Sequence, residues 1–412
     1  MRDEKPSSDM SGPSCRGGTY NESTQGSYPV RGFGKTVLGG LRRMDRSDLL
    51  GDASPYRRKW GSRFDFMYLL PRDHKRYSVR LLEKVLQWSG LGALYCRAAD
   101  VHGATIQMYH SVSTPDFCPW IDPRYVIPRD LFEAQMHFLS RHRTVVSFSR
   151  LVQMLEGGEP ILAGTVVVTF DDGYLDTLRV AAPILNQYGL PATLFPVTGY
   201  VGRGQNQWGD ETFRLFVSHT REKLNLPGIT ASTVDLRDPR AKAAAFESLQ
   251  DWFKGALPDE RAGMLANLEE QLRPEETPPR LTMNWDDVRE LVRSHPGIGI
   301  GLHGAEHLDL TAHDLSVARD DLEQCLEAAR RELGQRPDQF AFPYNRISQG
   351  VCELVRQSGF QSAVASGKET LITRGSDRMA LPRIEVCRSM SLFRFRTSGA
   401  YPALPLDGFR KL

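Results

Sequence analysis

The sequence predicts an α/β protein built on a parallel sheet, and three observations carry this reading. Thr165–Phe170 is a continuous apolar, β-branched run, the pattern of a strand buried on both faces. The segment LDTLRVAAPILNQYG then reads as a helix closing on Gly189, and ATLFPVTG as a second strand, which makes a βαβ unit. The same alternation returns later in the chain, so a barrel or a doubly wound sheet is the leading architecture.

In chain order, residues 1–76 are rich in Gly, Ser, Pro and Arg with weak apolar periodicity, and read as a poorly ordered basic leader. The alternative for them is a basic arm touching membrane lipid or a partner. Residues 77–103 hold leucines at helical spacing and predict an amphipathic N-terminal helix. ATIQMYHSV, from Ala104 to Val112, reads as a strand ending on a polar cluster. PRDLFEAQMHFLSRH predicts a helix with Pro128 near its start and Asp130 placed to cap it. TVVSFSRLVQMLEGG gives a short strand and a helix stopped by Gly157 and Gly158.

Residues 203–282 interrupt the alternation with the Trp208 loop, helical stretches such as AKAAAFESLQDWFKGAL, and the linker RPEETPPR. They read either as an insertion covering the site or as a helical elaboration away from it. Beyond them, WDDVRELVRS, SVARDDLEQCLEAARRELG and GVCELVRQSGF predict helices. GIGIGLH, QFAFPYN, SAVAS and LPRIEV predict strands. A domain over 104–390 follows, with 391–412 as an uninformative tail.

The chain has 412 residues and a net charge of +2, which argues against a protein held to nucleic acid mainly by phosphate contacts. The six cysteines, at 15, 96, 118, 325, 352 and 387, show no C-x-x-C spacing and read as reduced structural thiols. No run reaches the ~18 apolar residues of a membrane span, and the first residues lack an apolar signal core. The expected location is therefore cytoplasmic.

Three polar clusters fall at predicted strand ends: Tyr109-His110-Ser111, Asp171-Asp172-Gly173 and His303 to His307. Function gathers at the C-terminal ends of parallel strands, so the three are expected to face one cavity. H-x-x-x-H places two imidazoles on one face if the segment opens a helix. Two imidazoles and a carboxylate suit zinc or a similar divalent ion with positions left open. Taken alone, each motif has a bland alternative: surface or capping histidines, or a carboxylate pair that binds Mg²⁺ or caps a helix. Neighbouring residues on an extended backbone point oppositely, so one aspartate can hold a metal while the other accepts a proton from water. A metal lowers the pKa of its water from 15.7 to roughly 7. A histidine is the natural donor to the leaving amine.

VTFDDGYLDT, GLHGAEHLDL and FAFPYN resemble the motifs of the polysaccharide deacetylase family, also called the NodB-homology or carbohydrate esterase 4 family. The resemblance covers about residues 104–390. It implies a distorted (β/α) barrel with fewer than eight strands and a helical insertion. It implies Asp171 as catalytic base, with Asp172, His303 and His307 as metal ligands. The metal would be Zn²⁺ foremost, with Co²⁺, Ni²⁺ or Mn²⁺ as alternatives. Most members carry their acid histidine downstream of H-x-x-x-H, where this chain has only His313 outside any such motif. MYHSV instead resembles the circularly permuted exopolysaccharide-deacetylase branch, which makes His110 the expected general acid. Many members also place an Arg in the third motif, where this chain has Ala341 to Asn345. Arg383 either supplies that charge by pairing with Asp171 or makes a structural salt bridge. Tyr344 and Asn345 are expected at the substrate site, and Trp208 and Trp285 either stack on sugar rings or lie in the core.

The implied activity is removal of N-acetyl groups from amino sugars of a bacterial exopolysaccharide or cell-surface glycan. Three rivals stand beside it. A hydrolase of small amides would use the same site. A Mg²⁺-dependent glycosyltransferase leaves H-x-x-x-H unexplained, and a catalytically dead glycan-binding protein conflicts with an intact base and ligand set.

Overall fold

The computed structural model describes residues 102–113, 119–367 and 370–399. The expected leader and N-terminal helix lie outside the described residues.

The elements run β1 (Ala104–Tyr109), β2 (Ser111–Ser113), β3 (Val126–Pro128), α1 (Arg129–His142), β4 (Thr144–Val145), α2 (Phe148–Gly157) and β5 (Thr165–Asp172). A π turn over Thr177–Ala181 leads into α3 (Ala182–Gln187), followed by β6 (Ala192–Pro196) and α4 (Thr198–Arg203). Then come α5 (Trp208–Ser218), β7 (Lys223–Leu224), β8 (Val234–Asp235), α6 (Pro239–Gly255), α7 (Pro258–Leu272) and α8 (Trp285–Ser294). The chain continues through β9 (Ile298–Ile300), α9 (Leu315–Leu333), β10 (Gln339–Ala341), α10 (Gln349–Gln357), β11 (Ser362–Ser366), β12 (Leu381–Glu385) and α11 (Met390–Arg396).

Seven parallel strands stand side by side in the order β10-β11-β12-β1-β5-β6-β9. A parallel bridge from Leu302 to Phe340 joins the two ends, with Leu302 N–H donating to Gln339 O and Ala341 N–H to Leu302 O, each at 2.9 Å. The result is a (β/α) barrel whose strands follow chain order around the ring, with fewer than eight strands as expected. The short β4 pairs with β5 outside this ring.

Alternation along each strand assigns the residues to layers. Val166, Val168 and Phe170 pack outward against α1, α3 and α8, while Val167 packs with Ile106, Phe195, Ala341, Val364 and Leu381. Leu302, Phe340 and Phe342 pack outward against α9 and α10. The inward series thus leads from Ile106 to Met108 and His110, from Val167 to Asp171, and from Leu381 to Arg383. All of these polar ends arrive at one mouth of the barrel.

Two local expectations need correction. β5 continues through Asp172 rather than ending at Phe170, because Asp171 and Asp172 keep register with Phe195 and Pro196 of β6. Asp130 does not cap α1: Pro128 holds the cap position with no side-chain bond, and Asp130 is an exposed first-turn carboxylate paired to Arg129. There its charge favours the helix N-terminus without satisfying a backbone donor. The tail is structured at its start, where α11 buries Phe393 against the α1 layer. Trp285 lies in the core with Val288 and Leu291 and does not line the mouth.

In the segment between β6 and α8, Phe213, Phe216, Phe246, Leu249, Phe253 and Leu268 pack together from α5, α6 and α7, in a cluster that also takes in Trp120, Ile121, Val126 and Tyr174. Among the described residues, Cys325 and Cys352 are free thiols, and no helix is long and apolar enough to cross a membrane.

Candidate active site

The mouth of the barrel opens into a cavity of about 310 Å³ lined by His110, Asp171, Asp172, His303 and His307, with Tyr344 and Asn345 alongside. Strict alternation would turn Asp172 outward with Phe170. A positive φ of 74° at Asp172, followed by Gly173 at 83°, brings it to the cavity beside Asp171. Strain of this kind persists only where surrounding contacts impose it.

His303 and His307 meet without a helix, so the condition on which their spacing alone would place them on one face is not what brings them together. Residues 303–307 form a bend after the barrel-closing bridge, and the two rings approach to 4.8 Å. Two features shape this bend. Gly304 has φ 80°, and a Cβ there would lie 2.6 Å from Asp321 Oδ2. The Asp321 carboxylate of α9 accepts from Ala305 N–H at 3.0 Å and Glu306 N–H at 2.8 Å. Burial pushes that carboxyl up to about 6. On the other side, Gly199 N–H of α4 donates to Ala305 O at 2.9 Å.

Both ring nitrogens of each histidine have defined tasks. His303 Nδ1 lies 2.7 Å from Ala341 O, which can only accept, so Nδ1 carries the proton. His307 Nδ1 lies 2.9 Å from the Tyr344 hydroxyl, which itself donates to His307 O at 2.9 Å. Nδ1 of His307 therefore carries a proton too. The Nε2 lone pairs are left facing Asp172 Oδ1, at 3.6 Å from His303 and 3.4 Å from His307. Asp172 Oδ1 is buried and has no hydrogen-bond partner. These separations approach the ~3.3 Å edge of a tetrahedron with ~2.0–2.1 Å metal–ligand bonds. The donor set, the orphaned oxygen and the fixed tautomers all fit a divalent cation. Without one, burial raises the Asp172 carboxyl and lowers His307, reinforced at His307 by the charges of His303 and Arg261.

Asp171 faces a different neighbour. Arg383 Nη1 donates to Asp171 Oδ1 at 2.6 Å with both side chains buried, so of the two readings of Arg383 the geometry has the pair with Asp171. Burial alone would raise this carboxyl. The guanidinium, with His303, outweighs burial and holds it below the usual carboxylate range. Asn345 Oδ1 accepts from Arg383 Nη2 at 2.9 Å, so a residue expected at the substrate also orients the arginine.

His110 follows β1 directly and lines the cavity together with both aspartates. The segment after it is anchored by Ser111, whose hydroxyl donates to Asp176 at 2.5 Å. Burial pushes the Asp176 carboxyl up to about 7 despite that bond. The folded state therefore binds this proton more tightly than the unfolded state, whose value is ~3.9. The stability it confers falls as pH rises from about 4 through about 7. Asp176→Asn removes this dependence. The unfolding free energy from urea titration should fall from pH 5 to pH 8 by about 2–3 kcal/mol more for the parent than for the variant.

Trp208 stacks on Phe253 at 5.0 Å and carries the Arg261 guanidinium at 5.4 Å from its ring. With 4% of it exposed, it is a wall of the cavity rather than an open stacking surface. Sequence reasoning missed Tyr125, which is 41% exposed, lines the cavity and lies 5.3 Å from the His110 ring. No motif marks it. It also missed Asp321 and Arg261, which no spacing connects to the histidines. Gln207, Asp210, Gln250 and Lys254 from residues 203–282 line the cavity, so this segment borders the site.

The fold and the site define a parallel (β/α) barrel with an Asp-His-His triad that could hold a metal ion and a separately charge-paired carboxylate at its mouth. The model of the family described as polysaccharide deacetylase matches residues 160–247 and 267–363 of this chain. YxkH of Bacillus subtilis (strain 168), named as a candidate polysaccharide deacetylase, is 29% identical over 133 residues, covering 30% of this chain and 45% of that protein. The chain thus spans less than half the length of that curated relative. Among solved structures, the deacetylase PplD of Streptococcus pyogenes in complex with acetate is 15% identical with TM-score 0.48, covering 72% of this chain and 98% of the other. IcaB from Ammonifex degensii is 18% identical with TM-score 0.48, covering 72% and 97%.

Proposed function

We propose that the protein is a metal-dependent deacetylase that hydrolyses the N-acetyl group of an amino sugar in a glycan, releasing acetate and a free amine. The observation that carries this reading is the buried, unpartnered Asp172 Oδ1 facing two imidazole Nε2 atoms, beside an Asp171 paired to Arg383. Asp172, His303 and His307 would hold a divalent cation, Zn²⁺ foremost. When bound, the cation supplies Lewis acidity that acidifies water and polarises the acetyl carbonyl. Asp171, kept ionised by Arg383, takes the proton of the attacking water. His110 protonates the departing nitrogen, since an amide anion is too basic to leave. Tyr344 fixes the His307 tautomer, and Asn345 keeps Arg383 aimed at the base. The exposed ring of Tyr125 beside His110 offers the sugar an apolar face, and Trp208 lines the same cavity. An exopolysaccharide or cell-surface glycan as substrate, and a cytoplasmic setting, are part of this proposal.

Proton NMR of N-acetylglucosamine oligomers with the purified protein tests the reaction class. Acetate and free glucosamine units should appear in equal amounts. Acetate without amine, from O-acetylated substrates only, would reassign the enzyme as an esterase. His110→Ala should lower kcat by about 10²–10⁴-fold with metal content unchanged. Full activity in that variant would remove His110 from the acid role.

A further inference from the structure

Residues 248–266 fall between the two stretches that match the family model, yet one of them reaches the ligand loop. Arg261 of α7 is 2% exposed. Its Nη1 donates to Glu306 O at 2.6 Å, its Nη2 to His307 O at 3.2 Å, and its Nε to Phe253 O at 2.8 Å. The guanidinium plane also packs on Trp208. One planar fork thus ties α6, the cavity wall and the ligand loop together, a geometry that lysine cannot reproduce.

The loop needs such a restraint. His307 has φ 51°, a left-handed conformation that costs a non-glycine residue free energy unless contacts impose it. Its carbonyl accepts from two sides, Tyr344 Oη and Arg261 Nη2. We propose that Arg261 is a positioning residue for the metal site, supplied by the inserted helices, which fixes the His307 backbone so that its Nε2 faces Asp172. This rests on the ligand set under Proposed function and adds to it a residue outside the family-matched stretches. The inserted helices then set metal retention as well as the shape of the cavity wall.

Co²⁺ titration of the full chain, followed by visible absorption of the bound ion, tests this without any glycan. Arg261→Ala should weaken Co²⁺ binding by about 10–100-fold, the range for residues that orient ligands. Arg261→Lys should recover part of the loss, since it keeps the charge and one donor. Leu268→Ala, in the core of the same helix without contact to the loop, should lower the thermal midpoint yet bind Co²⁺ as the parent does. Parent-like affinity in Arg261→Ala would overturn the proposal. So would an equal loss of affinity in Leu268→Ala, which would trace the effect to packing in general. If Arg261→Ala does not fold, Arg261→Lys against Leu268→Ala decides the same question. A parent that binds no Co²⁺ would sink both this inference and the metal reading. A parent that binds Co²⁺ yet releases no acetate would sink only the reaction.

Discussion

Asp171→Asn should lower kcat by about 10²–10⁴-fold while the protein still binds one divalent ion per chain. The two aspartates are adjacent, but their surroundings separate them. Asp171 Oδ1 is taken by Arg383 at 2.6 Å, and its Oδ2 lies 3.9 Å from His303 Nε2. Asp172 Oδ1 lies nearer both imidazoles and has no partner of its own. An amide at 171 keeps an oxygen for Arg383 but has no lone pair basic enough to take a proton from water. The substitution also leaves the buried guanidinium without its counter-charge, which should cost on the order of 3 kcal/mol of stability. Kinetics therefore belong well below the melting range. Metal content by mass spectrometry together with kcat checks the separation. A variant retaining a tenth of parental kcat would remove Asp171 from the base role, and one that loses the metal would make it a ligand.

His303→Ala should lose both properties. Its Nε2 is one of only three donor atoms in the triad, and its Nδ1–H is what Ala341 O receives. Removing a ligand costs more than removing a group that orients one. Metal affinity should fall by more than the ~10–100-fold of outer-sphere changes. Activity should vanish at metal concentrations that saturate the parent, and excess metal should restore part of it. Competition titration with a chromophoric chelator reads the affinity directly. Unchanged affinity would mean that the triad is not the binding site.

Much of this was legible in the chain because parallel strands announce themselves by composition and present function at their ends. The run Thr165–Phe170 placed Asp171, and the alternation through LPRIEV carried Arg383 to the same mouth, 212 residues away in sequence. Local periodicity could not give the bend at His303–His307. Its shape comes from Gly304, from the Asp321 carboxylate and from the approach of α4, which are tertiary facts. The same holds for the left-handed turn at Asp172, which undoes the alternation that sequence reasoning relies on. Trp208 illustrates the opposite difficulty. The sequence left it between sugar stacking and the core, and the packing of α5, α6 and α7 supplied the neighbours that cover it. Tyr125, an isolated tyrosine between two prolines in sequence, carried no signal at all.

The most direct test of the central claim is acetate release from N-acetylglucosamine oligomers by protein as purified, after chelation, and after addition of Zn²⁺. Release that stops on chelation and returns with Zn²⁺ is the expected result. Release that continues at the parental rate with less than a tenth of the metal remaining would contradict a metal-dependent mechanism built on Asp172, His303 and His307.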